Sequence, residues 1–426
     1  MPLSGGTFLV YASLLILPLC TAEPPPPAPA SSPPEQRLNV TYLDAACQDA
    51  TPAAMFFRPC SANWDRKDPH DDYCANITIR WVIVVDSARS FCYDGPSCAS
   101  RARNLTTSNG LPFSAFIDGL LSPAPEVNPN LYKAISVFVP YCTSDLWLGT
   151  SETFQGQAVL DAVFDRLLSP MAPFPRLIDA DEVLIVGPVG VMLRVDDLAA
   201  RMAAASRVAQ PPGKAQISTW GLLDGGVWPS LPPFNASRAP CTSDADCPPA
   251  TALAMGVTMW GLTPTSPLLS WCAAAAAGRP SECFLDGTLL AHLAANLTTP
   301  ILVQQQRGDE LLLRALGAWP EATIEGTPAA AWATQELAPA LARALAAAPA
   351  SFSAACGRPS QLAISPAAFN LNVRFVDTYN HTQLHPLAFA VSKFLDDPLS
   401  SFGVFADNCT EGAWCSPGGC VVEPSL

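Results

Sequence analysis

The chain has 426 residues, of which 49% are hydrophobic, and a formal net charge of −14 at pH 7. This length allows a large buried core, and the negative charge argues against binding to nucleic acid or to an anionic membrane surface. Only four histidines are present, and none lies beside a cysteine pair at zinc-finger spacing. The sequence therefore predicts neither a metal site nor a cofactor.

The N-terminus has the pattern of a secretory signal peptide over residues 1–22. An apolar run at 8–19 is too short to span a bilayer and precedes small residues at Cys20-Thr21-Ala22. Residues 23–40 contain a Pro-rich stretch typical of an extended linker, and residues 41–426 are predicted to form one domain. The C-terminal tail has no hydrophobic segment for a lipid anchor. We therefore expect a secreted protein without a membrane anchor.

Apolar runs and helical patterns then alternate along the chain. Buried strands are predicted at 77–85, 134–140, 183–186, 217–223 and 301–304. Helices are predicted at 156–168, 195–204 and 331–348, and the uncharged segment 249–278 is interpreted as a loop and helix packed on the core. This alternation predicts an α/β fold with a mainly parallel central sheet and helices on both faces.

Cysteines and N-glycosylation sequons both indicate an oxidising compartment. Fifteen cysteines are present, and removal of Cys20 with the signal leaves an even number that suits seven disulfides. Local pairs are expected at Cys92–Cys98, Cys241–Cys247 and Cys272–Cys283, and Cys142 and Cys356 are further candidates for bridges. Seven of the thirteen asparagines lie in sequons, namely Asn39, Asn76, Asn104, Asn235, Asn296, Asn380 and Asn408. This excess over chance predicts a disulfide-rich secreted glycoprotein.

The segment 183–190 has the frame of a hydrolase nucleophile elbow. A short β-branched run at 183–186 ends at Gly187, where we expect a sharp turn, and the sequence from Val191 onward predicts a helix. Strand, tight turn and helix is the arrangement that presents the serine of a G-x-S-x-G elbow. This chain has Pro188 and Val189 in the turn, and neither side chain carries a nucleophilic atom.

An ordered set of motifs resembles the pectin acetylesterase and Notum family. The strongest is the segment 137–149, which reads V-F-V-P-Y-C-T-S-D-L-W-L-G. Arg80-Trp81, the Cys92/Cys98 spacing, the G-L-L-D segment at 221–224 and the segment 300–309 follow in the family's order, from about residue 80 to residue 420. The resemblance implies a disulfide-rich α/β-hydrolase fold. Pectin acetylesterases remove acetyl groups from pectin, and Notum removes a palmitoleoyl group from Wnt proteins, both with a Ser-His-Asp triad.

Only the acidic residue of that triad has a matching residue in this chain. Asp309 matches it, whereas the serine position falls around Pro188-Val189, in a shortened turn, and the histidine position is occupied by Pro359. A plain surface carboxylate at a strand end explains Asp309 about as well as a relic of the triad. Arg307-Gly308-Asp309 also forms an integrin-type tripeptide, which we interpret as coincidence.

The oxyanion-hole segment also departs from the family's glycine-rich pattern. It reads Asp86, Ser87, Ala88 and Arg89, without a glycine to open backbone N–H groups to a substrate oxygen. Substitute hydroxyls exist at Ser87 and Ser90. The candidate substitute bases are His70, His292, His381 and His385, and each is better explained as a surface, helix or loop residue.

These observations predict a protein of the hydrolase family that binds a glycan, an acyl group or an acylated protein without hydrolysing it. Two alternatives stay open. The chain could be an active carboxylesterase or deacetylase whose sequence is faulty at the elbow. It could also be a structural wall or matrix glycoprotein, as the Pro-rich leader and the many sequons suggest. An open apolar pocket above Gly187 would favour acyl binding, whereas a cleft filled by Arg89 or Phe91 would favour another surface.

Overall fold

A computed structural model of the chain describes residues 37–59, 78–86, 91–101, 105–117, 119–125, 128, 130–171, 176–210, 216–234, 241, 247–272, 278–306, 309–323 and 326–348. It also describes short segments at 351–354, 373–376, 382–385, 391, 394–395 and 405–406.

Ten strands form a single sheet in the order β12-β9-β8-β7-β6-β3-β5-β2-β1-β4. The strands are β1 Leu38–Ala46, β2 Pro52–Arg58, β3 Arg80–Val85, β4 Ser114–Ala115, β5 Ile135–Val139, β6 Glu182–Gly187, β7 Ser218–Asp224, β8 Ile301–Gln306, β9 Ser351–Ala354 and β12 Phe405–Ala406. The seven strands from β12 to β5 are parallel, β2 is antiparallel to β5, and β1 and β4 continue the sheet in antiparallel pairing. β10 Val373–Val376 and β11 Thr382–His385 form a separate pair.

All five predicted strands are confirmed as β3, β5, β6, β7 and β8, the centre of the sheet. β1 and β2 were not predicted. β1 is half-exposed, and its register shifts between Tyr42 and Ala46, so its side chains do not alternate regularly between the two faces. Because β1 begins at Leu38, the expected boundary between linker and domain near residue 41 falls within this strand.

The helices lie between the strands, as the sequence predicts. They are α1 Gly95–Ser100, α2 Gly156–Leu168, α3 Val189–Met192, α4 Val195–Ala209, α5 Pro249–Met259, α6 Thr288–Asn296, α7 Glu310–Ala315, α8 Pro328–Trp332 and α9 Ala338–Leu345. A π-helical turn at Ala333–Leu337 joins α8 to α9, so the predicted helix at 331–348 is one interrupted helical segment. α2 buries Val159, Val163 and Leu167 at four-residue spacing, which places its apolar stripe against the sheet.

Both faces of the sheet are covered by apolar side chains. Odd-numbered residues of β6, such as Val183 and Ile185, pack into the larger core with α2, α4, α6 and α9. The intervening Leu184 and Val186 face a smaller core that includes Val391. A strand buried on both faces must be apolar throughout, which explains the continuous run that marked β6 in the sequence.

Four disulfides connect the described residues. The three local pairs, Cys92–Cys98, Cys241–Cys247 and Cys272–Cys283, are formed as predicted. Cys142 pairs with Cys47, which joins the turn between β1 and β2 to the loop after β5. Cys356 lies outside the described residues. Among the described residues, no helix is both long and apolar enough to cross a membrane.

Candidate functional site

The candidate site lies at the edge where the parallel strands end, which is the usual ligand-binding edge of such sheets. Asp86 follows β3, Pro188 follows β6 and Asp309 follows β8. The loop after β5 contains the P-Y-C-T-S-D-L-W-L-G motif, and the loop after β7 begins with Gly225. We refer to this edge as the carboxyl edge.

The turn at Pro188 differs from the sharp turn expected from the sequence. Pro188 is extended, with φ −78° and ψ −174°, and α3 begins at Val189 rather than at Val191. The Pro188 carbonyl accepts hydrogen bonds from the N–H groups of Val191 and Met192. No residue from Gly187 to Gly190 has a positive φ. The junction of β6 and α3 therefore lacks the strained backbone that is typical of a nucleophile elbow.

Val189 occupies the turn with a side chain that is 0% exposed. A Cβ built on Gly226, in the loop after β7, would lie 3.6 Å from Cγ2 of Val189 and 3.5 Å from Cη2 of Trp228. The Phe91 ring packs edge-on against Trp228 and Trp260, with ring centroids 6.1 Å and 5.2 Å apart. Phe91 is therefore packed in the core beside these two tryptophans, whereas Arg89 lies outside the described residues.

At this edge, residues other than glycine adopt left-handed backbone in the loop after β5. Ser144, Leu146 and Trp147 have φ values of 57°, 55° and 62°, which residues other than glycine rarely adopt. The Leu146 carbonyl accepts a hydrogen bond of 3.2 Å from the N–H of Gly190, the second residue of α3. The strain at this edge thus serves to dock one loop against α3.

A buried carboxylate, Asp145, organises that loop. Its Oδ1 accepts hydrogen bonds from Thr143 Oγ1 at 2.6 Å and from the Trp147 N–H at 2.9 Å. Its Oδ2 accepts from the N–H groups of Gly149 at 3.2 Å and Gly156 at 2.8 Å. Burial raises the pKa of the Asp145 carboxyl to about 6, although these hydrogen bonds act in the opposite direction.

Side chains on either glycine would enter the space that Asp145 occupies. A Cβ on Gly156 would lie 2.5 Å from Asp145 Oδ1, and one on Gly149 would be closer still to Oδ2. In the sequence, the D-x-W-x-G spacing contributed only to the family resemblance. In the structure, the close contact with Asp145 explains why a glycine stands at position 149.

Asp86, in the predicted oxyanion region, holds the same loop from the other side. Its carbonyl accepts from Trp147 Nε1 at 2.9 Å, and its Oδ2 accepts from the Tyr141 N–H at 3.4 Å. The other residues of that region, Ser87, Ala88 and Arg89, lie outside the described residues, as do Ser90 and Pro359.

Asp309 is the N-cap of α7. Its Oδ1 accepts from the N–H groups of Leu311 at 3.0 Å and Leu312 at 3.3 Å, and its Oδ2 accepts from Gln305 Nε2 at 3.4 Å. Gln305 Oε1 in turn accepts from the Val227 N–H at 3.0 Å. Asp309 is buried and hydrogen-bonded to its own helix and to β8, so it is not the plain surface carboxylate that the sequence also allowed.

The structure does not bring His292 to this site. His292 lies on α6, which ends at Asn296, just before β8 begins, and so at the opposite edge of the sheet. His385 is described only as part of β11, and His70 and His381 lie outside the described residues. Within the described part of the chain, no group of three His, Cys, Asp or Glu residues is arranged to hold a metal ion.

A groove of about 570 Å³ lies between β1 and α2 and shares no residue with the turn at Pro188. It is lined by polar and apolar side chains that include Thr41, Leu43, Asp161 and Arg166. Arg194 and Arg201 form ion pairs with Asp161, and Arg201 also with Asp165, which ties α2 to α4 behind this groove.

Comparison with known proteins agrees with this architecture. The Pectinacetylesterase family model matches residues 37–212, which contain the strands β1–β6 and the Asp145 loop. The crystal structure of the Wnt deacylase Notum from Drosophila has a TM-score of 0.65 with 22% identity, over 88% of this chain and 97% of that one. The chain is therefore similar to the Notum and pectinacetylesterase family in sequence and in fold. Its fold is accordingly the α/β-hydrolase fold that the sequence predicts.

Curated members of the family match over part of their length. The palmitoleoyl-protein carboxylesterase Notum of Schmidtea mediterranea is 28% identical over 261 residues, which are 58% of this chain and 44% of that protein. Notum1a of Danio rerio, described by the same activity, is 26% identical over 283 residues, or 63% of this chain and 49% of that protein. The chain thus spans about half the length of these relatives, which are carboxylic-ester hydrolases by name.

Proposed function

We propose that this chain is a secreted, non-hydrolysing member of the Notum family that binds an acyl group, an acylated protein or a glycan. The observation that carries the proposal is the fully buried Val189 in a relaxed helical turn at the place where an elbow would present its serine. A triad hydrolase needs a hydroxyl that reaches the substrate carbonyl and a base that takes its proton. A buried valine and a proline supply neither.

The state of Asp309 supports the same proposal. In a triad, the acidic residue accepts a hydrogen bond from the histidine and holds it in the required tautomer. Here Oδ1 of Asp309 caps α7 and Oδ2 accepts from Gln305, so the carboxylate is used for local structure. The position that resembles the family's histidine is Pro359, which has no proton-accepting side chain. Loss of one triad residue alone lowers the rate by about 10⁴- to 10⁶-fold.

Secretion is supported by the cysteine chemistry. Four disulfides lie within the described residues, and such bridges persist in oxidising compartments. The signal-like N-terminus and the seven sequons are consistent with passage through the secretory pathway. We therefore place the protein outside the cell.

The relatives indicate the chemistry of the partner. Their names describe removal of a palmitoleoyl group from a protein, and the solved structure is that of a Wnt deacylase. Retention of the fold with an altered turn at Pro188 suggests capture of such a partner rather than its deacylation. A glycan is the alternative ligand, because pectinacetylesterases give the family model its name.

The test is hydrolysis and binding by the purified full-length glycoprotein. We expect no release of p-nitrophenol from p-nitrophenyl acetate, butyrate or octanoate above the level of the Val189→Ala and Asp309→Ala variants. Binding is measured with a palmitoleoylated peptide and with acetylated oligogalacturonide, and the ligand should be recovered intact. If the wild-type protein hydrolysed one of these esters and a single substitution abolished that activity, the proposal would be wrong.

Two further experiments address the alternatives. Sequencing of the transcript across the codons for residues 180–195 would reveal an active carboxylesterase if a serine-containing elbow were found there. Extraction of the protein only with the wall or matrix fraction, and not from the medium, would instead support a structural glycoprotein. We expect the transcript to encode Pro188 and Val189 at the turn, and the protein to be recovered from the medium.

A further inference from the structure

The last turn of α6 presents an exposed asparagine, Asn296, beside a histidine. Asn296 Nδ2 lies 3.1 Å from His292 Nδ1 and donates to the His292 carbonyl at 3.2 Å. Burial lowers the pKa of His292, which favours the neutral ring, and Nδ1 accepts the amide proton in the tautomer that is protonated on Nε2. The Asn296 amide is thus held against the edge of the imidazole.

The imidazole is itself stacked on a tryptophan. The rings of His292 and Trp271 are nearly parallel, with centroids 3.8 Å apart and an interplanar angle of 13°. Trp271 Nε1 donates to the Leu268 carbonyl at 3.0 Å, and the next residue, Cys272, is bridged to Cys283. These constraints hold the aromatic pair in place beside Asn296.

Asn296 is the first residue of the sequon Asn296-Leu297-Thr298, and both Asn296 and Thr298 are exposed. We propose that Asn296 carries an N-linked glycan whose first N-acetylglucosamine packs against the His292–Trp271 pair. The donor is a lipid-linked oligosaccharide diphosphate. Its C1–O bond breaks, a C1–Nδ2 bond forms, and one amide proton leaves with the diphosphate. The second amide proton remains available for the hydrogen bond to His292.

The topology places this glycan away from the candidate site. Asn296 ends α6 immediately before β8, at the edge where the parallel strands begin, whereas Pro188 follows β6 and Asp309 follows β8. A glycan at Asn296 therefore covers the amino edge of the sheet and leaves the carboxyl edge open to a partner.

The site is tested by mass spectrometry of the protein secreted from a eukaryotic host. Release of glycans with peptide N-glycosidase in ¹⁸O water should convert Asn296 to ¹⁸O-labelled aspartate. The Asn296→Gln variant should lose one glycan on a gel. Thr298→Ser keeps the sequon and should keep the glycan. An unmodified Asn296 in the secreted wild-type protein would overturn the proposal.

The packing of the sugar is tested by the rate of release from the folded protein. His292→Gln and Trp271→Ala keep the sequon, and each should raise the rate of glycan release at Asn296 several-fold. Release at another occupied sequon in the same digest, such as Asn39 on β1, should not change and controls for global loosening. If the glycan at Asn296 is released at the same rate from the wild type and both variants, the first N-acetylglucosamine does not pack against His292 and Trp271.

Discussion

The N–H of Gly190 donates a hydrogen bond to the carbonyl oxygen of Leu146 over 3.2 Å, and this contact docks α3 onto the loop after β5. The approach is close because Gly190 has no side chain. A Cβ at this position would lie 2.6 Å from the carbonyl carbon of Trp147. The loop after β5 and the first turn of α3 are thus packed directly against each other.

Gly190→Ala should destabilise the fold, because backbone atoms of the loop must move to admit the methyl group. Overpacking of this kind costs about 1–3 kcal/mol. The measurement is urea denaturation followed by tryptophan fluorescence. Gly95→Ala is the matched control, since a Cβ on Gly95 has no atom within 4 Å and should leave stability unchanged. Equal midpoints for the two variants would contradict the close packing.

Val189→Ser should not create an esterase, although it returns a hydroxyl to the turn. The residue is fully buried and the backbone lacks the left-handed conformation of an elbow. The buried hydroxyl should instead lower stability by about 1–3 kcal/mol. Hydrolysis of p-nitrophenyl butyrate and urea denaturation measure the two effects, with Val189→Ala as the control for lost volume. A burst of p-nitrophenol from Val189→Ser would refute this picture of the turn.

Asp309→Ala should destabilise α7, because two backbone N–H groups lose their acceptor. Removal of an N-cap carboxylate costs about 0.5–2 kcal/mol. Asp309→Asn keeps a carbonyl oxygen at the cap and should retain most of the stability. Hydrogen exchange of the Leu311 and Leu312 amides locates the effect. If Asp309→Ala and Asp309→Asn have the same stability, Asp309 does not stabilise α7 as its N-cap.

Stability should depend on pH through Asp196, whose carboxylate accepts from the N–H groups of Thr298 and Thr299, both at 2.8 Å. Partial burial raises the pKa of Asp196, but these hydrogen bonds outweigh it and hold the pKa below its usual value. A lowered pKa gives stability that is complete above the unfolded value of about 3.9 and is lost as the pH falls through the folded value.

Asp196→Asn should therefore be less stable than wild type by about 1 kcal/mol near neutral pH. The difference should shrink below about pH 4, where the wild-type carboxylate becomes protonated. Urea denaturation at a series of pH values measures it, and Asp197→Asn, on the exposed side of α4, is the control. A difference that persists unchanged at pH 3 would contradict the assignment.

The central strands could be predicted because they are largely buried on both faces and so contain apolar runs, of which β6 is the clearest. β1 could not, because its burial is irregular on either side of the shift between Tyr42 and Ala46. Which strands pair at the edge depends on contacts between distant segments, and local periodicity carries no information on them.

The candidate site was only partly predictable. The chemical nature of Pro188 and Val189 was evident from the sequence, but the burial of Val189 is a tertiary feature, and the nearby Gly226 lies in another loop. The capping role of Asp309 had a local signal, an aspartate directly before an apolar helical run. The role of Asp145 was missed because its donors lie on two glycines whose approach only the fold reveals.

The bridge between Cys47 and Cys142 closes a span of 95 residues and fastens the Asp145 loop to the first strands of the sheet. A cross-link over a span of this length restricts the denatured ensemble by an amount worth about 4–5 kcal/mol. Material made in a reducing bacterial cytosol would lack this contribution and would fold poorly even with a correct sequence. Recombinant work on this protein consequently requires secretion through an oxidising compartment, or oxidative refolding, before any assay is interpreted.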